Sequence, residues 1–212
     1  MISEGVRDDA TGLYSWMEDG RGYSAPSVTT ILSPLDDFSK VPPDRLEWAR
    51  ERGQAVHAVT ELYDEGKLDP SSVHPIIQRF LDGWIKFRAD TGFIPLWTEA
   101  FVRSKKYGYA GRLDRIGYLP AGERWPECHL VLDLKTGATI PISLGPQVAA
   151  YRQAAIEMFS GHPMWEPRLP ILRASITFDE DRDPDFKFLE DPMDWEIFMS
   201  CRNIFHYVRR KR

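Results

Sequence analysis

The chain has 212 residues, 42% of them hydrophobic, with 27 Lys and Arg against 32 Asp and Glu, for a net charge of −5. That is a globular composition of single-domain size, and no apolar run approaches the roughly 18–20 residues that span a bilayer. Two cysteines, Cys128 and Cys201, exclude a disulfide framework and a four-cysteine zinc or iron–sulfur site. The stretch Met1–Asp9 is polar and acidic, so no secretory leader is expected, and the expectation is a soluble, cytoplasmic protein with no membrane partner.

Residues 1–25 read as an N-terminal extension or hairpin, and residues 26–212 as one domain. Pro26-Ser27 precedes Val28–Leu32, a short helix with Ser27 as its cap. Pro34–Pro43 is a connector. From Asp44 to about Glu65 the pattern is helical, with an apolar stripe through Leu46, Ala49, Val56, Val59 and Leu62 that Gly53 interrupts. A second helix runs from about Ser71 to Thr91. It carries Val73, Ile76, Ile77, Phe80, Leu81, Trp84 and Phe87 at spacings of three and four, with Gly92 as the stop.

The period then changes to two. Trp97–Ser104 and Ala110–Tyr118 alternate around a turn at Lys106-Tyr107-Gly108-Tyr109. His129–Lys135 follows as a largely buried strand, completing a three-strand meander. Leu144–Phe159 is a helix, Leu169–Phe178 a fourth strand, Phe186–Leu189 a candidate fifth, and Pro192–Arg210 a last helix. The order predicts an α/β (α+β) layer fold, a central mixed sheet of four to five strands flanked by helices.

The charge is uneven. Asp179 to Glu196 holds nine acids and two bases, whereas Phe101–Ile116 holds Arg103, Lys105, Lys106, Arg112 and Arg115 against Asp114 alone, and the chain ends Arg209-Arg210-Lys211-Arg212. Local basic patches, rather than net charge, decide phosphate binding. The acidic stretch reads as a polar loop or as a guard over a basic groove.

The sharpest local signal is Val131-Leu132-Asp133-Leu134-Lys135-Thr136-Gly137. In a strand, residues two apart share a face, so Asp133 and Lys135 project together, as a salt-bridged pair or as chemistry. Asp114 lies in the preceding strand, where hairpin pairing brings it near Asp133. Two close carboxylates repel unless a cation lies between them, and oxygen-rich donors suit Mg²⁺ or Mn²⁺. His57 and Glu61 share one helix face at i and i+4, as do Gln147 and Tyr151. Glu99 is a further strand acid, able to serve a metal through water or to pair with Arg103 or Arg112.

Together these residues resemble the PD-(D/E)xK nuclease superfamily, in its RecB-like exonuclease branch of phage-type and mitochondrial genome-maintenance enzymes. The matching elements come in order: Gly53-x-x-x-His57-x-x-x-Glu61, Gly111-Arg112-Leu113-Asp114, Asp133-Leu134-Lys135-Thr136-Gly137 and Gln147-x-x-x-Tyr151. Pro26-Ser27-Val28-Thr29 is similar to the entry segment of phage members.

The resemblance implies a restriction-endonuclease-like core and a metal-dependent DNA nuclease, an exonuclease of replication, recombination or repair that is phage-encoded. His57, Asp114, Asp133 and the backbone carbonyl of Leu134 would bind Mg²⁺ or Mn²⁺, with no iron–sulfur cluster. Lys135 would act with Asp133 and Asp114 in catalysis, and Glu61 and Glu99 would support the ligands. Gln147, Tyr151, Arg103, Lys105, Lys106 and Arg112 would contact DNA, with Trp48, Tyr107 and Tyr109 stacking on bases or packing. DNA with a free end or a single strand is the implied partner. A helicase or recombination protein would act in trans, since no nucleotide-binding loop of a motor is present. The alternative is a DNA-binding or recruiting module that keeps the fold without cutting.

Overall fold

A computed structural model describes residues 4–137, 140–178 and 183–211. Three short strands open the chain, β1 (Val6–Asp8), β2 (Leu13–Glu18) and β3 (Arg21–Pro26), paired antiparallel in that order. The extension is therefore a small sheet, with a third strand that its weak alternation does not announce. Tyr14, Trp16 and Ala25 bury one face of it against Phe101 and Ala110.

α1 (Val28–Leu32) follows, with Ser27 accepting a hydrogen bond from the Thr30 amide at 3.0 Å as its N-cap. α2 (Pro43–Asp64) and α3 (Pro75–Thr91) pack together on one face of the main sheet. Two sequence expectations change here. The stripe through Leu46, Ala49 and Leu62 does not form a packed face: residues 41–51 are all exposed, and α2 anchors only through Val56, Val59 and Thr60. Its first turns extend past the layer that could cover them. The second helix begins at Pro75 rather than near Ser71, with residues 70–72 a separate 3₁₀ turn. The ring of Pro75 drives the preceding residue out of helical geometry, and His74 is extended at ψ 138°. Gly92 ends the helix at φ 70°, a left-handed cap that glycine adopts without penalty.

The main sheet has five strands in the order β4 (Ile94–Ser104), β5 (Tyr109–Leu119), β6 (Cys128–Lys135), β7 (Ile171–Thr177) and β8 (Asp185–Phe188). β6 and β7 are parallel and the other neighbours antiparallel, so the sheet is mixed, as expected. α4 (Leu144–Phe159) makes the crossover from β6 to β7, and α5 (Asp194–Arg209) packs beside it.

Alternation along β6 builds both cores. Leu130, Leu132 and Leu134 face α2 and α3, joining Phe80, Trp84 and Phe93. Val131 faces α1, α4 and α5 with Val28, Tyr109, Val148 and Phe198. Each such aromatic or aliphatic side chain contributes about 1.5–3 kcal/mol by leaving water. Asp133 takes the next position on the second face, at the C-terminal end of a parallel strand, where open α/β sheets bind ligands. Asp179–Arg182, at the start of the acidic stretch, and Arg212 lie outside the described residues.

Candidate metal centre

Strand pairing between β5 and β6 runs from Leu119↔Cys128 to Arg115↔Leu132. Beyond that pair Asp114 takes over: its Oδ2 accepts the Leu134 amide at 2.7 Å. One carboxylate thus clasps two strands at their ends and leaves its other oxygen for the site.

Three residues converge there. His57 Nδ1 lies 2.8 Å from Glu99 Oε1 and 3.7 Å from Asp114 Oδ1. One ligand atom from each of His57, Glu99 and Asp114 falls within 4.8 Å of the others. α2 supplies His57, β4 supplies Glu99 and β5 supplies Asp114. Glu99 has φ 44°, a left-handed backbone that costs a side-chain-bearing residue about 1–2 kcal/mol. The backbone is held in place: the Glu99 carbonyl accepts from Arg112 at 2.7 Å, and its carboxylate also meets Arg115 at 3.2 Å.

Asp133 forms a second, adjoining group. It is buried, with Lys135 Nζ 2.5 Å from Oδ2 and Gln147 Nε2 donating to Oδ1 at 3.0 Å. Oδ2 has no hydrogen bond of good geometry beyond that ion pair. The sequence grouped Asp133 with His57 and Asp114 and placed Glu99 outside. In the structure Glu99 touches His57, and Asp133 is tied to Lys135 and Gln147.

The electrostatics follow from this crowding. Burial alone would push the His57 imidazole down, but Asp114, Glu99 and Asp133 carry it up to about 9. Burial pushes Asp133 up to about 6, with Lys135 opposing and Asp114 adding to the shift. Burial works against the Lys135 ammonium, yet Asp133 and Asp114 hold its pKa above the ordinary lysine value. Burial, then Glu99, raises Glu61.

A donor set of one imidazole and several carboxylates, carrying excess negative charge and an under-bonded buried oxygen, fits a hard or borderline divalent cation. His57, Glu99 and Asp114 would hold it, with Asp133 adjoining.

The sign of the His57 shift gives a pH prediction. A folded pKa near 9, above an unfolded value of about 6.5, adds stability fully present below pH 6.5 and lost as pH rises through 9. In EDTA, urea unfolding between pH 6 and 9.5 is expected to show a loss of about 2–3 kcal/mol, and His57→Gln to flatten that slope. An equally steep slope in the variant would remove His57 as its source.

A cleft of about 580 Å³ opens over the cluster. Its walls include His57 and Glu61 from α2, Gly111 and Arg112 from β5, and Gln147 and Tyr151 from α4. Gly111 is required by close approach: a Cβ there would stand 2.6 Å from the Tyr151 ring. The G-x-x-D strand and the Q-x-x-x-Y helix are thus sterically matched. Gly111→Ala is expected to displace Tyr151 and destabilise the fold by about 1–3 kcal/mol, read by urea denaturation.

Several wall residues stand outside the site that the sequence predicts. Arg7 and Tyr14 reach the cleft from the small N-terminal sheet, and Ser27 and Thr29 from the start of α1. For Ser27 and Thr29 the sequence signal is the cap of α1 and the Pro26-Ser27-Val28-Thr29 segment, while Arg7 and Tyr14 carry none.

The other basic and aromatic candidates lie elsewhere. Arg103 and Lys105 both bind Glu18, each at 2.6 Å, and Lys106 sits 5.0 Å over the Tyr107 ring. Tyr107 packs edge-on against Trp195. Trp48 is exposed on the projecting part of α2. Tyr109 is fully buried and donates to the Ala150 carbonyl at 2.8 Å, so it packs and does not stack on a base. Leu134 turns its side chain into the α2–α3 core while its amide serves Asp114.

No family model and no curated protein matches the chain. Among solved structures it is similar to a protein from Eubacterium rectale named as a candidate exonuclease, at a TM-score of 0.41 and 13% identity over 74% of this chain. The chain spans 64% of that protein's length.

Proposed function

We propose that this chain is a Mg²⁺- or Mn²⁺-dependent nuclease that hydrolyses phosphodiester bonds in DNA, working from a free end. The observation that carries the reading is the convergence of His57, Glu99 and Asp114 within 4.8 Å beside the buried Asp133–Lys135 pair, under an open cleft. The four motifs of the RecB-like resemblance bring their residues to this one place.

A divalent ion bound there supplies Lewis acidity and a water of lowered pKa. The residues of the chain do the rest. Asp133, ionised above about pH 6, accepts from Gln147 and steadies the Lys135 ammonium. Lys135 stabilises charge developing on the phosphate oxygens and orients the attacking water. Glu99 and Asp114 fix the His57 ring. Arg112, exposed in the cleft wall, offers a guanidinium to the strand.

The test is linear DNA labelled at either end, single- and double-stranded, incubated with Mg²⁺, Mn²⁺ or EDTA. Metal-dependent release of one label first is the expected result and gives the polarity. DNA bound but never cut, in any metal, would replace this reading with that of a binding or recruiting module.

A further inference from the structure

A second feature lies where the β4–β5 turn meets the end of α5. Arg202 donates its Nε to the Tyr107 carbonyl, tying helix to turn. Lys106 stands on the turn beside this joint, and the chain running on from it carries His206 and Arg209 on the last turns of α5 and Arg210 and Lys211 just past its end. Lys106, Arg209, Arg210 and Lys211 are exposed. Among the described residues none of these cations, Arg202 included, forms an ion pair with an acid. Glu157, which lies in the same region, is engaged by Ser104 and Gln153. Exposed Tyr207 lies 6.0 Å from Lys211, and Phe205 lies under Arg209 at 5.0 Å.

Cations in the last turn of a helix complement its dipole. That accounts for Arg209 and Arg210 but not for Lys106 or mid-helix Arg202. The imidazole of His206 reports the same excess: burial, then Arg202, Arg210 and Arg209, push it down. In a chain of net charge −5, this corner is a local positive field of the kind that binds polyanions. β5 leads from it directly to the cleft. Tyr109 to Asp114 is five strand residues, about 17 Å, or roughly five nucleotides along a duplex strand.

We infer that the corner formed by Lys106, Arg202 and the Arg209–Lys211 end of α5 is a second contact surface for a polynucleotide backbone. It engages the part of the strand that does not lie in the cleft. The inference rests on the nuclease reading, since it takes DNA as the polymer. Exposed Tyr207 beside Lys211 adds a stacking platform of the kind that single strands use.

The experiment measures binding without cutting, in EDTA and with Lys135→Ala in every protein. The probes are fluorescent DNA of about 30 base pairs and a strand of about three nucleotides, too short to reach from the cleft to the corner. Lys106→Glu, Arg209→Glu, Arg210→Glu and Lys211→Glu are combined in the variant, and circular dichroism verifies the fold. The variant is expected to lose at least about tenfold in affinity for the long duplex. The slope of log affinity against log salt should shrink by about 3–4, and the advantage of long over short DNA should vanish.

Equal affinity and slope in the two proteins would overturn the inference. So would unchanged DNA binding with lost retention on phosphatidylserine vesicles, which would assign the corner to an anionic membrane. A chain with native Lys135 that binds but never cuts, paired with a charge-reversed chain that no longer binds, would keep the surface and remove the nuclease.

Discussion

Lys135→Ala is expected to cut end-labelled DNA about 10²–10³-fold more slowly under single turnover, the scale on which one transition-state donor usually acts. DNA binding measured in parallel should change far less, because Lys135 is mostly buried against Asp133 and is not among the residues that wall the cleft. The side chain is mostly buried and its ammonium sits 2.5 Å from Asp133, so it has two effects that separate experimentally. It provides charge to the reacting phosphate, and it keeps Asp133 ionised. Burial carries the Asp133 pKa up to about 6 even with Lys135 opposing. Without the ammonium that pKa rises further, so the acid limb of the pH–rate profile should move to higher pH in the variant. Asp133→Asn removes the titrating group and should remove this limb together with most of the rate. A Lys135→Ala protein that cuts at the parental rate would take Lys135 out of the mechanism. A lost rate with an unmoved acid limb would separate Lys135 from Asp133.

The regular parts of this fold were legible because their patterns are local. Leu144–Phe159 and Val28–Leu32 were predicted at their observed bounds, since periodicity and a Ser cap act within a few residues. Asp133 and Lys135 stood out because charges inside an apolar strand need partners. What the sequence hid depends on contacts between distant residues. Leu46 and Ala49 have the spacing of a buried stripe, yet α2 outruns the layer that would cover them. Glu99 looked like an accessory acid. Only its left-handed backbone and the opposing β5 strand turn it onto His57, and no spacing rule encodes that twist. Arg115 stands in the basic stretch Phe101–Ile116 that suggests phosphate contact, yet its side chain is 0% exposed and paired with acids.

Arg115→Met is accordingly expected to be the most damaging single change to stability. The guanidinium is 0% exposed and sits 5.4 Å over the Trp84 ring. Its Nε bonds Asp64 Oδ2 at 2.8 Å, one terminal amine bonds Thr60 Oγ1 at 2.8 Å, and the other bonds the Asp114 carbonyl at 2.7 Å and Glu99 Oε1 at 3.2 Å. It therefore joins α2 to β4 and β5 directly beneath the candidate metal centre. Asp64 is 2% exposed and also accepts from Trp84 and Arg88, so it keeps some partners when Arg115 is gone. Glu99 keeps only His57 among these donors. Removing one member of a buried ion pair costs about 3–5 kcal/mol, because the remaining charge stays desolvated. For a domain of this size that lowers the melting temperature by roughly 10 °C or more. Arg115→Lys keeps the charge but not the fork, so it should recover only part of the loss. Adding Asp64→Asn to Arg115→Met should cost less than the two single changes summed, the signature of a coupled pair. Strict additivity of the two would show that the Arg115–Asp64 pair is not coupled and would assign the cost to the bonds with Glu99, Thr60 and the Asp114 carbonyl and to packing on Trp84.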